Sequence, residues 1–300
     1  MVAEPSPVAR RWQLAAQLRK LREDADKTIE DTAAELMCSV AKVSRMETAG
    51  RGIQPRDVRD LCRFYGVPEA VRDELVQFAI EAQRPGWWHD FRTIDEQVAT
   101  YIGLETAAQS ARGADALRLP SLLQTPEFTA ALLDGIRYPP EKTNTWIEET
   151  LQARGKRQER VKSGELQLHV IIDEAALRRP IGGRDVMVAQ VERLLADGTL
   201  PNVTIQVIPF DSGPHPGLEG SFQHLRFPAG QLNDIVFVEG MLGNSILDKS
   251  AVVDQYFMVF EYLSKECALP PANALEWLEL LLRELTHTGP KGRRSTASSA

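Results

Sequence analysis

The sequence predicts two domains: an all-α head, then a larger α/β (α+β) domain with a small mixed sheet flanked by helices. Three observations predict this. The chain has 300 residues, which suits two domains of roughly 100–200 residues each. Residues 8–84 repeat apolar positions at helical spacing, with caps and stops between the runs. From residue 166 onward, β-branched and alternating runs appear between helical ones.

In the head, residues 8–25 put Leu14, Leu18 and Leu21 on one apolar stripe. Thr28 followed by Asp31 is an acidic form of the capping box and opens a short helix over 29–37. Ser39 is the expected N-cap of a second short helix over 40–47, and AGRG at 49–52 is a turn. Pro55 fits the first turn of a fourth helix that Gly66 stops. A fifth helix over 69–84 turns Leu75, Phe78 and Ala79 inward, and Pro85-Gly86 marks the domain boundary.

In the second domain, helices are expected near 104–117, 126–134 and 141–162. Strands follow at 166–172, 203–208, 222–227 and 235–238. The helix over 184–197 between the first two strands suggests a parallel pair with a right-handed crossover. The last two strands fit a hairpin across PAGQLND. Helices near 249–267 and 271–286 close the domain, and residues 288–300 are an expected disordered tail.

Charge is unevenly placed. Residues 1–84 hold 14 basic and 14 acidic side chains, whereas residues 85–300 hold 21 and 28 and supply the whole net charge of -7. An acidic chain therefore keeps a neutral head with a basic segment of its own, Lys42, Arg45 and Arg51 against Glu47. A local face is set by its own charges and not by the chain's average. No run of about 18 apolar residues predicts a membrane span, and MVAEPSPVARRW lacks the apolar core of a signal peptide. Cys38, Cys62 and Cys267 have no metal-type spacing. A cytoplasmic chain is expected.

Residues 28–50 have the layout of a helix-turn-helix, two short helices joined by a tight turn. Small Ala33 allows close helix approach, and Leu36, Val43 and Met46 fill the space between the helices. That leaves Ser39, Val40, Ala41, Lys42, Ser44 and Arg45 facing outward as candidate DNA contacts, with Thr28 and Arg51 flanking them. Arg45 suits a bidentate bond to guanine, and Val40 or Ala41 suits a thymine methyl. Lys42 and Arg51 suit phosphates, which position the protein without specifying sequence.

The series T-x-x-x-x-A-x-x-L-x-x-S-x-x-x-V-S-R-M-E over 28–47 resembles the lambda-repressor-like (Xre-type) helix-turn-helix family across about residues 14–66. The resemblance implies a recognition helix over 39–47, with Glu47 as a structural residue of it. Four positions depart from the pattern. Ile29 stands where the family often has Gln, Met37 where the turn usually has Gly, and Val40-Ala41 replace amide side chains. A bulky residue at positive φ is strained, so a turn of another shape is expected at Met37, and modest specificity from each site. A single head makes a small interface, so a homodimer on a two-fold pair of half-sites is expected.

Residues outside the head carry weaker chemical signals. GWWHDF at 86–91 either presents a binding face or anchors the linker to the core, and the anchor is the expectation. Asp173-Glu174 after a strand suggests acid–base or metal chemistry or a helix cap, and EAALRRPIGG favours the cap. His169, His215, His224 and His287 have no ligand spacing. The Gly/Pro-rich loop 211–222 covers a pocket, touches a partner or is only a long connection. No phosphate loop, nucleophile elbow or dinucleotide fingerprint occurs. No enzyme activity, cofactor or metal is expected.

The series GWW, YIGLE, LPSLLQT, DEAALRRPIGG, LPNVTIQVIPF, GLEGSF and VEGMLGNSILD, spread over about residues 86–285, resembles the C-terminal domain of Scr1-type antitoxin-like regulators of high-GC Gram-positive bacteria. The resemblance implies a small companion protein encoded nearby. The expected organisation is therefore a DNA-binding domain at 1–84, an antitoxin-like sensor and dimerisation domain at 85–287, and the tail. The leading expectation is a transcriptional regulator whose second domain dimerises and binds a companion protein or ligand. The alternative is a protein-binding antitoxin or adaptor whose DNA binding serves only autoregulation.

Overall fold

A computed structural model describes residues 6–136, 143–240 and 243–287. The expected tail at 288–300 lies outside them. The head opens with α1 (Pro7–Asp24), α2 (Ile29–Glu35), α3 (Val40–Glu47), α4 (Pro55–Phe64) and α5 (Glu69–Glu81). Then come α6 (Glu96–Ala107), β1 (Ser110–Asp115), α7 (Pro126–Gly135), α8 (Asn144–Lys162) and β2 (Gln167–Asp173). Next are α9 (Glu174–Arg178), α10 (Arg184–Asp197), β3 (Val203–Ile208), β4 (Phe222–Arg226), β5 (Ile235–Gly240) and β6 (Gly243–Leu247). Helices α11 (Ser250–Tyr262) and α12 (Pro271–His287) close the described chain, with a π-helical turn over Leu263–Cys267 between them.

Six strands form one mixed sheet in the order β3-β2-β1-β4-β5-β6. The β2 and β3 strands pair in parallel, Leu168 opposite Val203 through Asp173 opposite Ile208, and α10 supplies the crossover. Val170, Ile171 and Ile172 are all buried, the continuous apolar run of a strand covered on both faces. Strands β5 and β6 run antiparallel, with Phe237 opposite Ile246.

Two strands differ from the sequence expectation. Residues 110–115 read as part of a helix, yet they form β1 inside the sheet. The run SARGAD is small and helix-tolerant, but the sheet uses that smallness. A Cβ on Gly113 would lie 2.3 Å from the Gln223 amide, so the Gln223 side chain lies directly over the bare backbone. Packing overrides local propensity here. Strand β6 carried no signal because GNSIL has little β-branched content and no alternation.

Contacts group the chain into two compact units. One unit comprises Met1–Ser110 with Leu225–Val253, and the other comprises Ala111–His224 with Asp254–Ala300. Within the first, the head core gathers Leu14, Leu18, Met46, Val58, Leu61 and Ala79. The same unit places α1 against α6. Ser6 caps α1 and its hydroxyl donates to the Gly103 carbonyl at 2.5 Å. A Cβ on Gly103 would lie 2.5 Å from Val8 and 2.9 Å from the Trp88 ring, so α1 and Trp88 close onto bare backbone. Trp88 is 2% exposed, and the GWW segment thus anchors the chain after α5.

Candidate nucleic-acid interface

Local signals build the helix-turn-helix. Thr28 and Asp31 form a complete capping box: the Asp31 amide donates to the Thr28 hydroxyl at 3.0 Å, and the Thr28 amide donates to the Asp31 carboxylate at 2.9 Å. The hydroxyl and amide of Thr28 hold the Asp31 carboxyl below its ordinary pKa. Thr32 is fully buried, and its hydroxyl meets the Tyr65 hydroxyl at 3.1 Å beyond the end of α4. Burial pushes the Tyr65 phenol up to about 12 and the Cys62 thiol up to about 11. Cys62 is thus a packing residue with little thiolate at neutral pH.

The turn between α2 and α3 keeps the left-handed geometry despite its side chain. Met37 has φ +48°. Its amide donates to the Ala34 carbonyl at 3.1 Å, and the Cys38 amide donates to the Ala33 carbonyl at 2.8 Å. This is a full Schellman closure, so the left-handed turn forms with Met at its positive-φ position, and the expected change of shape does not occur. Met37 is 93% exposed, so its side chain contributes no packing to offset the strain. Met37→Gly is expected to stabilise the chain by about 0.5–1 kcal/mol, read by urea unfolding; a loss of stability would contradict the strain.

Ser39 caps α3, its hydroxyl accepting from the Lys42 amide at 3.2 Å. Val43 and Met46 are each 1% exposed and fix the inner face. With 3.6 residues per turn, Ala41 and Arg45 fall at the centre of the opposite face, and both are exposed. Val40 is exposed and Ser44 half-buried on one flank. Lys42, on the other flank, is half-buried, and its ammonium lies 3.0 Å from the Asp57 carboxylate. Arg51 is exposed in the turn after α3, and Thr28 is exposed at the start of α2.

Two residues of this assembly escaped sequence reasoning. Arg22 is buried beneath α3 and forks onto Glu47, Nε to Oε1 at 2.7 Å and Nη2 to Oε2 at 3.0 Å. Its Nη1 donates to the Lys27 carbonyl at 2.9 Å. The bond to Glu47 raises the Arg22 pKa. A signal existed: Arg22 stands four residues after Leu18 and eight after Leu14, on the core-facing stripe. Asp57 had no such signal, because its partner comes from another helix.

The family described as a domain of unknown function (DUF5753) matches residues 98–280. The chain belongs to this family. A helix-turn-helix domain matches residues 13–75, from within α1 to within α5, so the chain carries the DNA-binding motif of a regulator. No curated protein and no solved structure matches the chain. The DUF5753 match begins inside α6 and ends inside α12. Among the described residues, no helix is long and apolar enough to cross a membrane.

Within the DUF5753 region, the sequence candidates have partners inside the fold. Asp173 caps α9 through the Ala175 amide at 2.7 Å, and its other oxygen pairs with His215 at 3.0 Å. Glu174 accepts from the Phe210 amide at 2.8 Å and from Arg178. The two carboxylates thus hold both ends of the β3–loop junction, and the 211–222 loop is latched by His215. His169 pairs with Gln206 at 2.7 Å against the Phe260 ring, and burial lowers its pKa. The LPSLLQT segment is held by buried amides: Gln190 bonds the Leu123 carbonyl and the Thr125 amide, each at 2.8 Å, and Gln158 bonds the Gln124 carbonyl at 2.8 Å.

Proposed function

We propose that the chain is a dimeric, cytoplasmic transcription regulator of the Xre type. Residues 1–84 read an operator, and residues 85–287 dimerise and receive a small companion protein, in the manner of antitoxin-like regulators, or a small ligand. The observation that carries this is α3. It is capped by Ser39, fixed beneath by Val43, Met46 and the Arg22–Glu47 pair, and presents Ala41 and Arg45 outward. A rigid helix places side chains on base edges reproducibly.

Receipt of a signal has a physical route in the first unit. A cleft of about 370 Å³ is lined by Pro7, Arg11, Trp88, His89, Glu96 and Thr100, among others. Burial lowers the Arg11 pKa while nearby Glu96 opposes the shift. Arg11 sits on α1, and the same helix carries Arg22 beneath α3. A ligand or companion that binds one position of α1 better than another shifts the population of DNA-competent heads. Exposed Met258 and Tyr262 on α11 offer apolar surface to a protein partner.

The test is binding of the purified chain to its own promoter and to random duplex at moderate salt, with and without the product of the neighbouring small gene. At least tenfold preference for the promoter is expected, changed by the companion. Equal affinity for both duplexes would refute sequence-specific reading. Capture of the companion without any change in DNA affinity would favour the antitoxin reading instead.

A further inference from the structure

Lys42 is one of only two cations in α3, with Arg45, and the two are placed differently. Arg45 is exposed on the outward face. Lys42 turns toward α4, where Asp57 occupies the first turn. The Lys42 side chain is 23% exposed and that of Asp57 is 11% exposed, so the pair is partly withdrawn from water. Arg56 approaches the other Asp57 oxygen at 3.5 Å, but its side chain is 82% exposed.

We infer that Asp57 is an internal counter-charge that holds Lys42 off the duplex backbone and so limits the affinity of the recognition helix; this rests on the DNA-binding reading above. A free lysine at the margin of α3 would neutralise a phosphate. A paired one must first leave a largely buried carboxylate without its main partner, which is unfavourable. The helix is thereby left with Arg45 as its working cation. Phosphate contacts add affinity for every sequence alike. Withholding one lowers non-specific binding and leaves the base-directed contact in place, so the ratio of specific to non-specific affinity rises.

The experiment is fluorescence anisotropy of the full chain on its promoter duplex, from roughly 50 to 200 mM salt. It compares the unmodified chain, Lys42→Gln, Asp57→Asn and the double variant. Lys42→Gln alone, which leaves Asp57 unpaired, is expected to leave the salt slope unchanged, because no phosphate contact is lost. Asp57→Asn is expected to bind several-fold tighter, with a slope steeper by about 0.9. The double variant is expected to lose that gain. Comparing Asp57→Asn with and without Lys42 cancels the general effect of removing one negative charge near DNA. A shallower salt slope in Lys42→Gln, no gain in Asp57→Asn, or a gain that persists in the double variant would each overturn the inference while leaving DNA binding intact. If Asp57→Asn does not fold, the salt slope of Lys42→Gln alone decides. Failure of the unmodified chain to bind any duplex removes the DNA-binding reading, and the inference with it.

Discussion

Arg22→Ala is expected to destabilise the chain by about 3–5 kcal/mol and to abolish duplex binding with it. The Glu47 side chain is 7% exposed and holds two of its hydrogen bonds from one guanidinium. Truncating Arg22 leaves that carboxylate buried and uncompensated between α1 and α3. A loss of this size is a large share of the 5–15 kcal/mol that usually separates folded from unfolded states. Arg22→Lys keeps the charge but cannot reproduce the fork, and an intermediate loss is expected. Replacing the pair together, as Arg22→Met with Glu47→Leu, is expected to recover most of the stability, because neither charge is then stranded. Urea unfolding of the three variants measures this. A loss below about 1 kcal/mol for Arg22→Ala would place the pair among solvent-screened surface bridges.

Arg45→Ala carries the second large effect, and it separates from the first because folding is untouched. Arg45 is exposed, so its removal strands no partner inside the head. A bidentate contact to guanine contributes about 1–3 kcal/mol of discrimination, and affinity for the operator is expected to fall by about 5- to 150-fold. Tolerance of substitutions should rise at a single base-pair position. Val40 and Ala41 cannot compensate, since neither has a hydrogen-bonding side chain. An equal fall for operator and random duplex would make Arg45 a phosphate contact. Unchanged affinity would remove it from the interface.

The head was legible because its signals are local. Thr28, Asp31 and Ser39 lie within three residues of the backbone groups they cap, so sequence alone locates the starts of α2 and α3. The inner face of α3 followed from the spacing of Val43 and Met46. The pairings that hold this frame were not legible in full. Arg22 and Glu47 are 25 residues apart, and Lys42 and Asp57 are 15 apart; both depend on helix crossing. Lys42 shows the consequence for the site. Its identity suggested a phosphate contact, and its environment gives it a carboxylate. In the second domain, β3 was found at its true bounds because VTIQVI alternates, whereas β1 was lost because SARGAD carries no strand pattern and its place between β2 and β4 depends on sheet pairing.

The first compact unit is not contiguous in the chain: it needs residues up to Ser110 and then Leu225–Val253. During synthesis, the head core from Leu14 to Ala79 is available early. The hydrogen bond from the Asn244 amide to Gln97 on α6, 2.9 Å long, must wait for a strand made far later. At roughly 5–20 residues per second, the residues between Ser110 and Val253 take roughly 7–30 s to emerge. For that interval the sequence of the head is complete while α6 still lacks its strand partner, so the unit can close only after Leu225–Val253 has emerged.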